Sequence, residues 1–428
     1  MPRIPFSPSS PKAEHLVVVA PHPDDEALGA GGLISHFIEN GNTVDVILLT
    51  MGDGFVQDAE RYYLSFDVTA AEYINLGYRR MRETIDAMAV LGVSAEHVHF
   101  FGFPDGGLDR LLFDYWEKQP FCSSTTGVSY GPYIESYGEK SPYLGRTLLT
   151  LLRQLLLQLR PTWIVSPSAY DEHPDHWATG AFARLAGTGL ANPVHHFSYL
   201  VHWPGWPLPL AFRPRLHQKA PHILSQSHPG RWREFVYDAD NVTRKRRALM
   251  TYQSQVELIK PFMLAFARRS EVLLEETIVD MPVGHWYTVP TPFRSHWTRY
   301  LKKESPINKV AWAILDQHQH VRVEWDRPMR AEEILHISLH MPQTQTLRHW
   351  RIDATGAVIG ERSDKVQVSL EPLVLEASWP ISECDGNPVV MVGVQMANQE
   401  VWIGRTALER YHVSPLPDHN PVDEEERR

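Results

Sequence analysis

Histidine and carboxylate side chains occur together in two short clusters of the sequence, at residues 21–26 and 171–176. The first reads Pro-His-Pro-Asp-Asp-Glu and the second reads Asp-Glu-His-Pro-Asp-His. A hydrolytic zinc site needs three nitrogen or oxygen ligands from the protein and one position left open for water. His22, His176 and one of the aspartates would supply such ligands. The two clusters therefore favour a metal site formed by segments far apart in the chain.

Amide hydrolysis also needs a base that takes a proton from water and an acid that releases the amine. Besides the ligands, the clusters contain such spare groups, namely Asp24 or Asp25 together with His173. The first cluster alone could be a turn in which an aspartate caps the next helix. Two independent turns would rarely give a complete set of ligands, base and acid, so the sequence indicates a metal-dependent hydrolase.

Both clusters follow apolar stretches that predict buried β-strands. Strands alternate with helices in this part of the chain, which is typical of parallel βαβ units with ligand sites beyond the carboxyl ends of the strands. We therefore predict an α/β domain over residues 1–280. Its strands are predicted at 16–19, 44–50, 97–101 and 163–165, and its helices at 78–91 and 144–159.

After about residue 280, short β-rich stretches follow one another at hairpin spacing, which predicts an antiparallel, all-β sandwich-like domain. We place a linker at 281–310, this β-rich domain at 311–415 and a charged tail at 416–428. The length of 428 residues agrees with two domains, because single cores stop growing near roughly 250–300 residues. The strands are predicted at 321–325, 334–339, 349–352, 366–370, 389–394 and 401–403.

The sequence resembles the LmbE-like, or PIG-L, N-acetylglucosaminyl deacetylases over about residues 14–275. The fold of that family is a Rossmann-like α/β sandwich with a mostly parallel sheet and flanking helices. The first motif differs in beginning with Pro21, where many members have alanine, and the C-terminal third lies outside the resemblance. The resemblance depends on ordered segments at 21–26, 49–54, 80–83 with 91–93, 103–106, 173–176, and Lys245 with 252–255.

The resemblance implies a role for each matching residue of the two clusters. The zinc ligands would be His22, Asp25 and His176. Asp24 would be the general base, and His173 would stabilise the oxyanion or protonate the leaving amine. Asp175 would orient His173 from the second shell of the site.

Four further residues are predicted to bind substrate. Arg80 matches the arginine that the family places near substrate hydroxyls, and an ion pair with Glu83 is the alternative. Asp105 belongs to the matching Phe-Pro-Asp-Gly segment. Trp203 and Trp206 lie in a tryptophan-rich loop, where flat apolar faces could stack on a sugar or could seal the edge of the domain.

The function that the resemblance implies is zinc-dependent removal of an N-acetyl group from a GlcNAc-type glycoside or glycoconjugate, with release of acetate and the free amine. Two alternatives stay open. One is an amidase that acts on a thiol conjugate or another acylated amine, and the other is a carbohydrate-binding or scaffolding protein with an idle metal site. Fe²⁺, Co²⁺ or Mn²⁺ would also suit a mixed nitrogen and oxygen site.

Composition excludes several other classes of protein. The net charge of -10 and the pI near 6.1 argue against a nucleic-acid partner. The chain has no apolar run long enough to span a membrane and no secretory signal near its start, so we expect a cytoplasmic protein. The β-rich domain could bind a long glycan, cover the active site or form a homo-oligomer contact, and the sequence does not distinguish these three roles. The sugar, the acyl group and the pathway stay open.

Overall fold

The computed structural model describes residues 13–134, 136–191, 194–281, 283–289, 307–398, 401–405 and 409–413. The chain forms two compact units that divide between Thr277 and Ile278. No helix among these residues is long and apolar enough to cross a membrane.

The first unit is built on a seven-stranded sheet. Its strands are β1 (His15–Ala20), β2 (Thr43–Thr50), β3 (Val98–Phe103), β4 (Trp163–Pro167), β5 (His195–Tyr199), β6 (Trp232–Val236) and β7 (Ser270–Glu275). The order across the sheet is β3-β2-β1-β4-β5-β7-β6, and of these strands β7 alone runs antiparallel to its neighbours. The prediction of a Rossmann-like, mostly parallel sheet is confirmed.

Helices flank this sheet, and local signals in the sequence set their ends. The longest helix begins after a capping box formed by Thr69 and Glu72 and ends at Gly92, which adopts the left-handed conformation that glycine tolerates. The helices are α1 (Asp25–Glu39), α2 (Val56–Tyr63), α3 (Ala70–Leu91), α4 (Leu108–Leu111), α5 (Gly145–Leu159), α6 (Pro174–Gly187), α7 (His222–Ser227), α8 (Ala239–Leu249) and α9 (Gln253–Ala265).

The core of the first unit fixes α1 directly against the sheet. Leu16 and Val18 of β1 are fully buried, and so are Leu33 and Phe37 of α1. A Cβ atom on Gly29 would lie 2.3 Å from the Tyr199 ring, so α1 can approach β5 this closely only with glycine there. Because α1 begins with the first histidine–carboxylate cluster, this packing also fixes the position of that cluster.

The second unit contains only β-strands and short turns of 3₁₀ helix among its described elements. The strands are β8 (Val279–Asp280), β9 (Tyr287–Thr288), β10 (Ile307–Leu315), β11 (His318–Trp325), β12 (Glu333–Met341), β13 (Thr346–Asp353), β14 (Val358–Gly360), β15 (Gln367–Glu371), β16 (Val374–Pro380), β17 (Val389–Asn398), β18 (Val401–Arg405) and β19 (Glu409–His412). They form one sheet in the order β15-β16-β11-β10-β9 and a second in the order β14-β13-β12-β17-β19-β8, with β18 also paired to β17.

One core joins the two sheets of the second unit, and it includes the buried rings of Trp312, Trp350 and Trp379. Along β12, Leu335, Ile337 and Leu339 alternate into this core, as expected for one face of a strand. The prediction of an all-β, sandwich-like domain is therefore confirmed.

The observed division at Thr277 lies close to the boundary predicted at residue 280. Strand β9 falls inside the stretch 281–310 that we expected to be a linker, and it pairs with β10 through Trp312 and Tyr287. Part of that stretch therefore belongs to a sheet, because its β-branched and aromatic residues can pair with a strand too distant in sequence to be foreseen. The predicted charged tail at 416–428 lies outside the described residues.

Candidate metal centre and active site

The sheet topology brings the two histidine–carboxylate clusters together. The first cluster follows β1 and the second follows β4, and these strands are parallel neighbours with Val18 opposite Val165. Strand order reverses at this pair, since β2 and β3 lie on one side of β1 and β5 lies beyond β4. Open α/β sheets form a ligand-binding crevice at such a switch point.

His22 is held by carboxylates on both sides of its ring. Its Nδ1 lies 3.1 Å from Oδ2 of Asp25. Its Nε2 lies 3.1 Å from Oδ1 of Asp105 and 3.2 Å from Oδ2 of Asp175. The ring is therefore fixed from behind, with Nδ1 directed towards the carboxylate of Asp25.

His176, on α6, is fully buried and has the same arrangement. Its Nε2 lies 3.0 Å from the same Oδ2 atom of Asp25, and its Nδ1 lies 3.3 Å from Oδ2 of Asp171. Among the described residues neither ring nitrogen has a partner with hydrogen-bond geometry. The His22 and His176 ring centroids are 5.5 Å apart.

These residues fit a divalent metal ion. Nδ1 of His22 and Nε2 of His176 lie 3.1 Å and 3.0 Å from the same Oδ2 atom of Asp25, and each imidazole has a carboxylate behind its other nitrogen, as metal-ligating histidines usually do. Buried polar atoms without partners, such as those of His176, are costly unless a ligand binds them. His173 and His202 also bring ring nitrogens within 4.8 Å of members of this set.

The electrostatics of the set favour positive charge at this point. Burial opposes ionisation of Asp25, but the adjacent His176 and His22 outweigh it and hold its pKa well below the usual value. Burial likewise disfavours a charged His176, yet Asp171 and Asp25 raise its pKa to about 9. The carboxylates thus attract a cation here, either a proton or a metal ion.

Asp24 lies beside the candidate metal ligands His22, Asp25 and His176 but is not one of them. Its φ of 112° is in the left-handed region, so its side chain leaves the start of α1 in a different direction from that of Asp25, and it makes no capping bond. Oδ2 of Asp24 is 3.8 Å from Nη2 of Arg80. Burial, reinforced by the charge of Asp25, raises the pKa of Asp24 well above its usual value, as is common for catalytic bases.

His173 caps the start of α6. Its Nδ1 accepts a hydrogen bond of 3.2 Å from the backbone N–H of Asp175, so in the neutral ring the proton is on Nε2. The ring centroid is 4.9 Å from that of His22 and 5.2 Å from that of His176. Burial, helped by these two histidines, lowers the pKa of His173 to about 4.

Asp175 lies where it was not expected. Its carboxylate accepts from the backbone N–H groups of Gly106 (2.7 Å) and Leu108 (2.9 Å) and contacts His22, so it does not orient His173 as predicted. The reason is its place as the second residue of α6. There its side chain points to the loop after β3, while its backbone N–H, which has no partner within the helix, donates to Nδ1 of His173.

Arg80 and Asp105 line the cavity but are also bound by the protein. Arg80 donates to the carbonyl oxygens of Gly52 (2.7 Å) and Pro23 (2.8 Å). Arg79, not Arg80, makes the ion pair with Glu83, at 3.2 Å. Asp105 accepts from the backbone N–H of Gly54 at 2.7 Å, in addition to its contact with His22. Both residues therefore hold the loops that carry the metal-ligand set.

The cavity above the set has a volume of about 300 Å³. Trp203 and Trp206 are not among its lining residues, so the predicted tryptophan wall is wrong. Trp206 instead donates to the carbonyl oxygen of Lys219 at 2.7 Å and packs on Phe266. Both clusters contribute to the lining, together with Leu28, Gly54, Phe55, Arg80, Asp105, Gly106, His202, Gln255, Ile259 and Phe262.

Asp171 was missed by sequence reasoning, although it is the first residue of the second cluster. Besides its contact with His176, it accepts backbone N–H bonds from His173 (3.1 Å), Val201 (2.8 Å) and His202 (3.0 Å). It therefore joins the loops after β4 and β5 and supports the imidazole of His176 from behind.

Replacing Asp171 by Asn is expected to weaken metal binding about 10- to 100-fold, because the carboxylate that orients His176 and raises its basicity is lost. Metal affinity of the folded variant, measured by competition with a coloured chelator, checks this. A variant that is less stable to heat but binds metal as tightly as the wild type would restrict Asp171 to a structural role.

Asp53 is a second buried carboxylate near the cavity. It accepts a 2.5 Å hydrogen bond from the hydroxyl of Tyr133, and its Oδ1 has no partner among the described residues. Burial, with a further contribution from Asp105, raises its pKa to about 7. The folded protein therefore retains a proton on Asp53 at pH values where the unfolded chain has lost it.

The Asp53→Asn variant is expected to be more stable than the wild type at pH 8. When the pKa of an acid is higher in the folded than in the unfolded protein, the free energy of unfolding falls as the pH rises from the unfolded pKa to the folded pKa. The stability advantage of Asn should therefore be small at pH 4 and reach its full size above pH 7. Urea unfolding at pH 4.5, 6 and 8 measures it. Equal stability differences at the three pH values would contradict the raised pKa.

The fold and the site define a Rossmann-like α/β domain with a histidine–aspartate set at its topological switch point that could hold a metal ion. Residues 17–186 match the family model PIG-L: GlcNAc-PI de-N-acetylase. This match lies within the stretch of about residues 14–275 over which the sequence resembles the PIG-L, or LmbE-like, family.

Relatives that share this region are named 1D-myo-inositol 2-acetamido-2-deoxy-alpha-D-glucopyranoside deacetylase. The protein of Mycobacterium sp. (strain KMS) is 39% identical over 190 residues, which cover 44% of this chain and 54% of the relative. That of Tsukamurella paurometabola is 29% identical over 186 residues, covering 41% and 57%. The chain thus spans little more than half the length of these relatives.

Solved structures of similar chains include N,N'-diacetylchitobiose deacetylase from Pyrococcus horikoshii. It is 18% identical, with a TM-score of 0.39, and the match covers 63% of this chain and 87% of that one. A deacetylase of teicoplanin biosynthesis is 20% identical, with a TM-score of 0.40 and coverage of 61% and 97%.

Proposed function

We propose that the first unit is a metal-dependent hydrolase that removes an acetyl group from the nitrogen of an acetylated amino sugar. The observation that carries this proposal is the convergence of three donor atoms, from His22, Asp25 and His176, beside the carboxylate of Asp24, which makes no capping bond and lies 3.8 Å from Nη2 of Arg80. The family match and the deacetylase names of the relatives support the choice of an N-acetylated sugar as substrate.

Zn²⁺ is the ion we propose, held by His22, Asp25 and His176, because two imidazoles and one carboxylate are a ligand set that zinc accepts in hydrolases. Fe²⁺ or Co²⁺ would suit the same donors. When bound, such an ion supplies Lewis-acid chemistry, making water more acidic and polarising the acyl carbonyl.

Asp24 is the general base in this proposal. Its carboxylate lies next to the ligand set, bound to no capping position, and Arg80 fixes the preceding loop through the carbonyl of Pro23. Asp24 takes one proton from the attacking water while the water oxygen forms a bond to the acyl carbon. The π electrons of the carbonyl move onto its oxygen at the same time.

His173 stands on the other side of the reacting group. Its Nδ1 is occupied by the backbone of Asp175, so Nε2 carries the proton that can face the substrate. When the carbon–nitrogen bond breaks, the nitrogen receives the proton that Asp24 took from the water, and the carbonyl double bond re-forms. The products are acetate and the free amine of the sugar.

Arg80 and Asp105 contribute to substrate binding mainly through the loops that they fix, since Nη1 and Nη2 of Arg80 and Oδ2 of Asp105 already bind backbone groups. A cavity of about 300 Å³ lies at the small end of ligand pockets. It is the size expected for one sugar ring with its acetamide, so we propose that the reaction takes place on a single N-acetylated residue.

Mass-spectrometric screening tests this function. The metal-loaded chain is incubated with a panel of N-acetylated amino sugars and with acylated amines that carry no sugar, and the loss of acetyl mass is followed for each compound. Deacetylation confined to the sugars supports the proposal. Turnover of the sugar-free amines alone would favour the general amidase, and metal binding without any turnover would favour a binding or scaffolding protein.

A further inference from the structure

His202 is a fourth histidine at the candidate active site, and it belongs to neither cluster. It lies three residues beyond the end of β5, the parallel neighbour of β4. Its backbone N–H donates to Asp171 at 3.0 Å, and its carbonyl accepts from the N–H of Glu172 at 2.9 Å. These two bonds fasten His202 to the loop that carries His173 and His176.

The imidazole of His202 faces the cavity. Its ring centroid is 4.6 Å from that of His176 and 5.4 Å from that of His173. The ring of Phe262 lies parallel to it within 14°, at 6.1 Å. Within the described part of the chain no side chain or backbone group hydrogen-bonds to the His202 ring nitrogens, so they are free to bind a ligand.

Phe262 reaches this position because α9 is broken. Pro261 lies inside the helix, where its ring displaces the preceding turn, and Ile259 has the non-helical angles φ -127° and ψ 27°. Ile259 and Phe262 both line the cavity as a result. The ring of His202 thus lies alongside Phe262 in this apolar wall, among the residues that line the cavity.

A metal-ligand role for His202 is disfavoured by the number of ligands already present. His22, Asp25 and His176 supply three, and a hydrolytic site keeps its next position open for water. The ring of His202 packs against that of His176 and lies near that of His173. Asp24, His173 and His202 all line one cavity, so a substrate bound there can place its acyl oxygen between the two imidazoles.

On the proposed function, we infer that His202 is a further catalytic residue, which together with His173 donates hydrogen bonds to the acyl oxygen. Two N–H···O bonds of about 2.9 Å that meet at one oxygen place their nitrogens up to ~5.8 Å apart. The centroids of the two rings are 5.4 Å apart, which allows one nitrogen of each ring to lie within that limit. As water attacks, the π electrons of the carbonyl move onto this oxygen. The two N–H groups meet the new charge without transferring a proton.

Replacing His202 by Phe tests this inference, because Phe keeps a planar ring against Phe262 and removes only the donor. We expect kcat for the best acetylated sugar to fall roughly 100-fold, the cost of losing one oxyanion donor, with KM nearly unchanged. Metal content should equal that of the wild type. His202→Gln, which restores an N–H donor, should recover part of kcat, and His195→Phe, an exposed position on β5, should have no effect.

Each other outcome overturns the inference in a recognisable way. An unchanged kcat in a folded His202→Phe protein would mean that His202 does not contact the acyl oxygen. Loss of metal in parallel with kcat would make it a ligand. If the Phe variant does not fold, a His202→Gln protein with no more activity than His202→Ala would count against a donor role. A wild-type chain that deacetylates no sugar would refute the proposed function itself, and this inference with it.

Discussion

A His176→Ala variant is expected to lose its metal ion and its deacetylase activity while it remains folded. His176 provides a donor atom, Nε2, 3.0 Å from Oδ2 of Asp25, and its Nδ1 lies 3.3 Å from Oδ2 of Asp171. Removal of a group behind a metal ligand typically weakens binding 10- to 100-fold. Loss of the ligand itself should therefore cost more than about 100-fold in affinity.

The metal-to-protein ratio after dialysis, measured by mass spectrometry, and the initial rate of acetate release check this prediction together. A thermal shift provides a second measure, because an ion that binds only the folded chain raises the Tm. Added Zn²⁺ should raise the Tm of the metal-free wild type and leave that of His176→Ala unchanged. The exposed His222→Ala protein is the control, since it removes an imidazole at a distance from the site. Full metal content in His176→Ala would refute the proposed ligand set.

The ligand set could be predicted from the sequence because each of the two histidine–carboxylate clusters follows a predicted strand, and one general rule places the ends of such strands together. Each cluster follows a short apolar strand, and the carboxyl ends of parallel strands lie at the same edge of a sheet. The rule does not say which strands are neighbours. That β1 and β4 are adjacent follows from the complete strand order, which depends on contacts between distant parts of the chain.

The second half of the first unit could not be predicted in the same way. Strand β5 begins His-His-Phe-Ser-Tyr and lacks a continuous apolar run, and β6 and β7 are antiparallel strands separated by two helices. Without β5 there was no reason to place His202 at the carboxyl edge of the sheet. The tryptophan-rich loop that begins at His202 was predicted to bind substrate through Trp203 and Trp206. In the structure, His202 is the residue of these three that lines the cavity.

The role expected of Asp175 shows a different limit. The residue type was clear from the sequence, but neither its place at the start of α6 nor the partner of its carboxylate was. The backbone N–H groups of Gly106 and Leu108 bind it, and these come from a loop that follows β3. A carboxylate next to a histidine in sequence need not contact that histidine in space, because the start of a helix directs the two side chains apart.

The Asp24→Asn variant is expected to retain metal and fold but to lose about 10²- to 10⁴-fold in kcat, the usual contribution of a general base. Asn has the size of Asp and also tolerates the left-handed backbone seen at this position, with φ 112°. The change removes the proton acceptor and a buried charge together, so stability should not fall. Asp240→Asn, at an exposed position of α8, is the matched control.

The comparison of Asp24→Asn with His176→Ala separates the two halves of the proposed site. A base and a ligand both abolish turnover when they are removed, but only the ligand should change the metal content. Acetate release and metal content are therefore measured on the same preparations of both variants. If Asp24→Asn also loses its metal, then Asp24 belongs to the ligand set, and the free carboxylate on which the proposed hydrolysis depends does not exist. If it keeps both metal and a wild-type kcat, another group removes the proton from water.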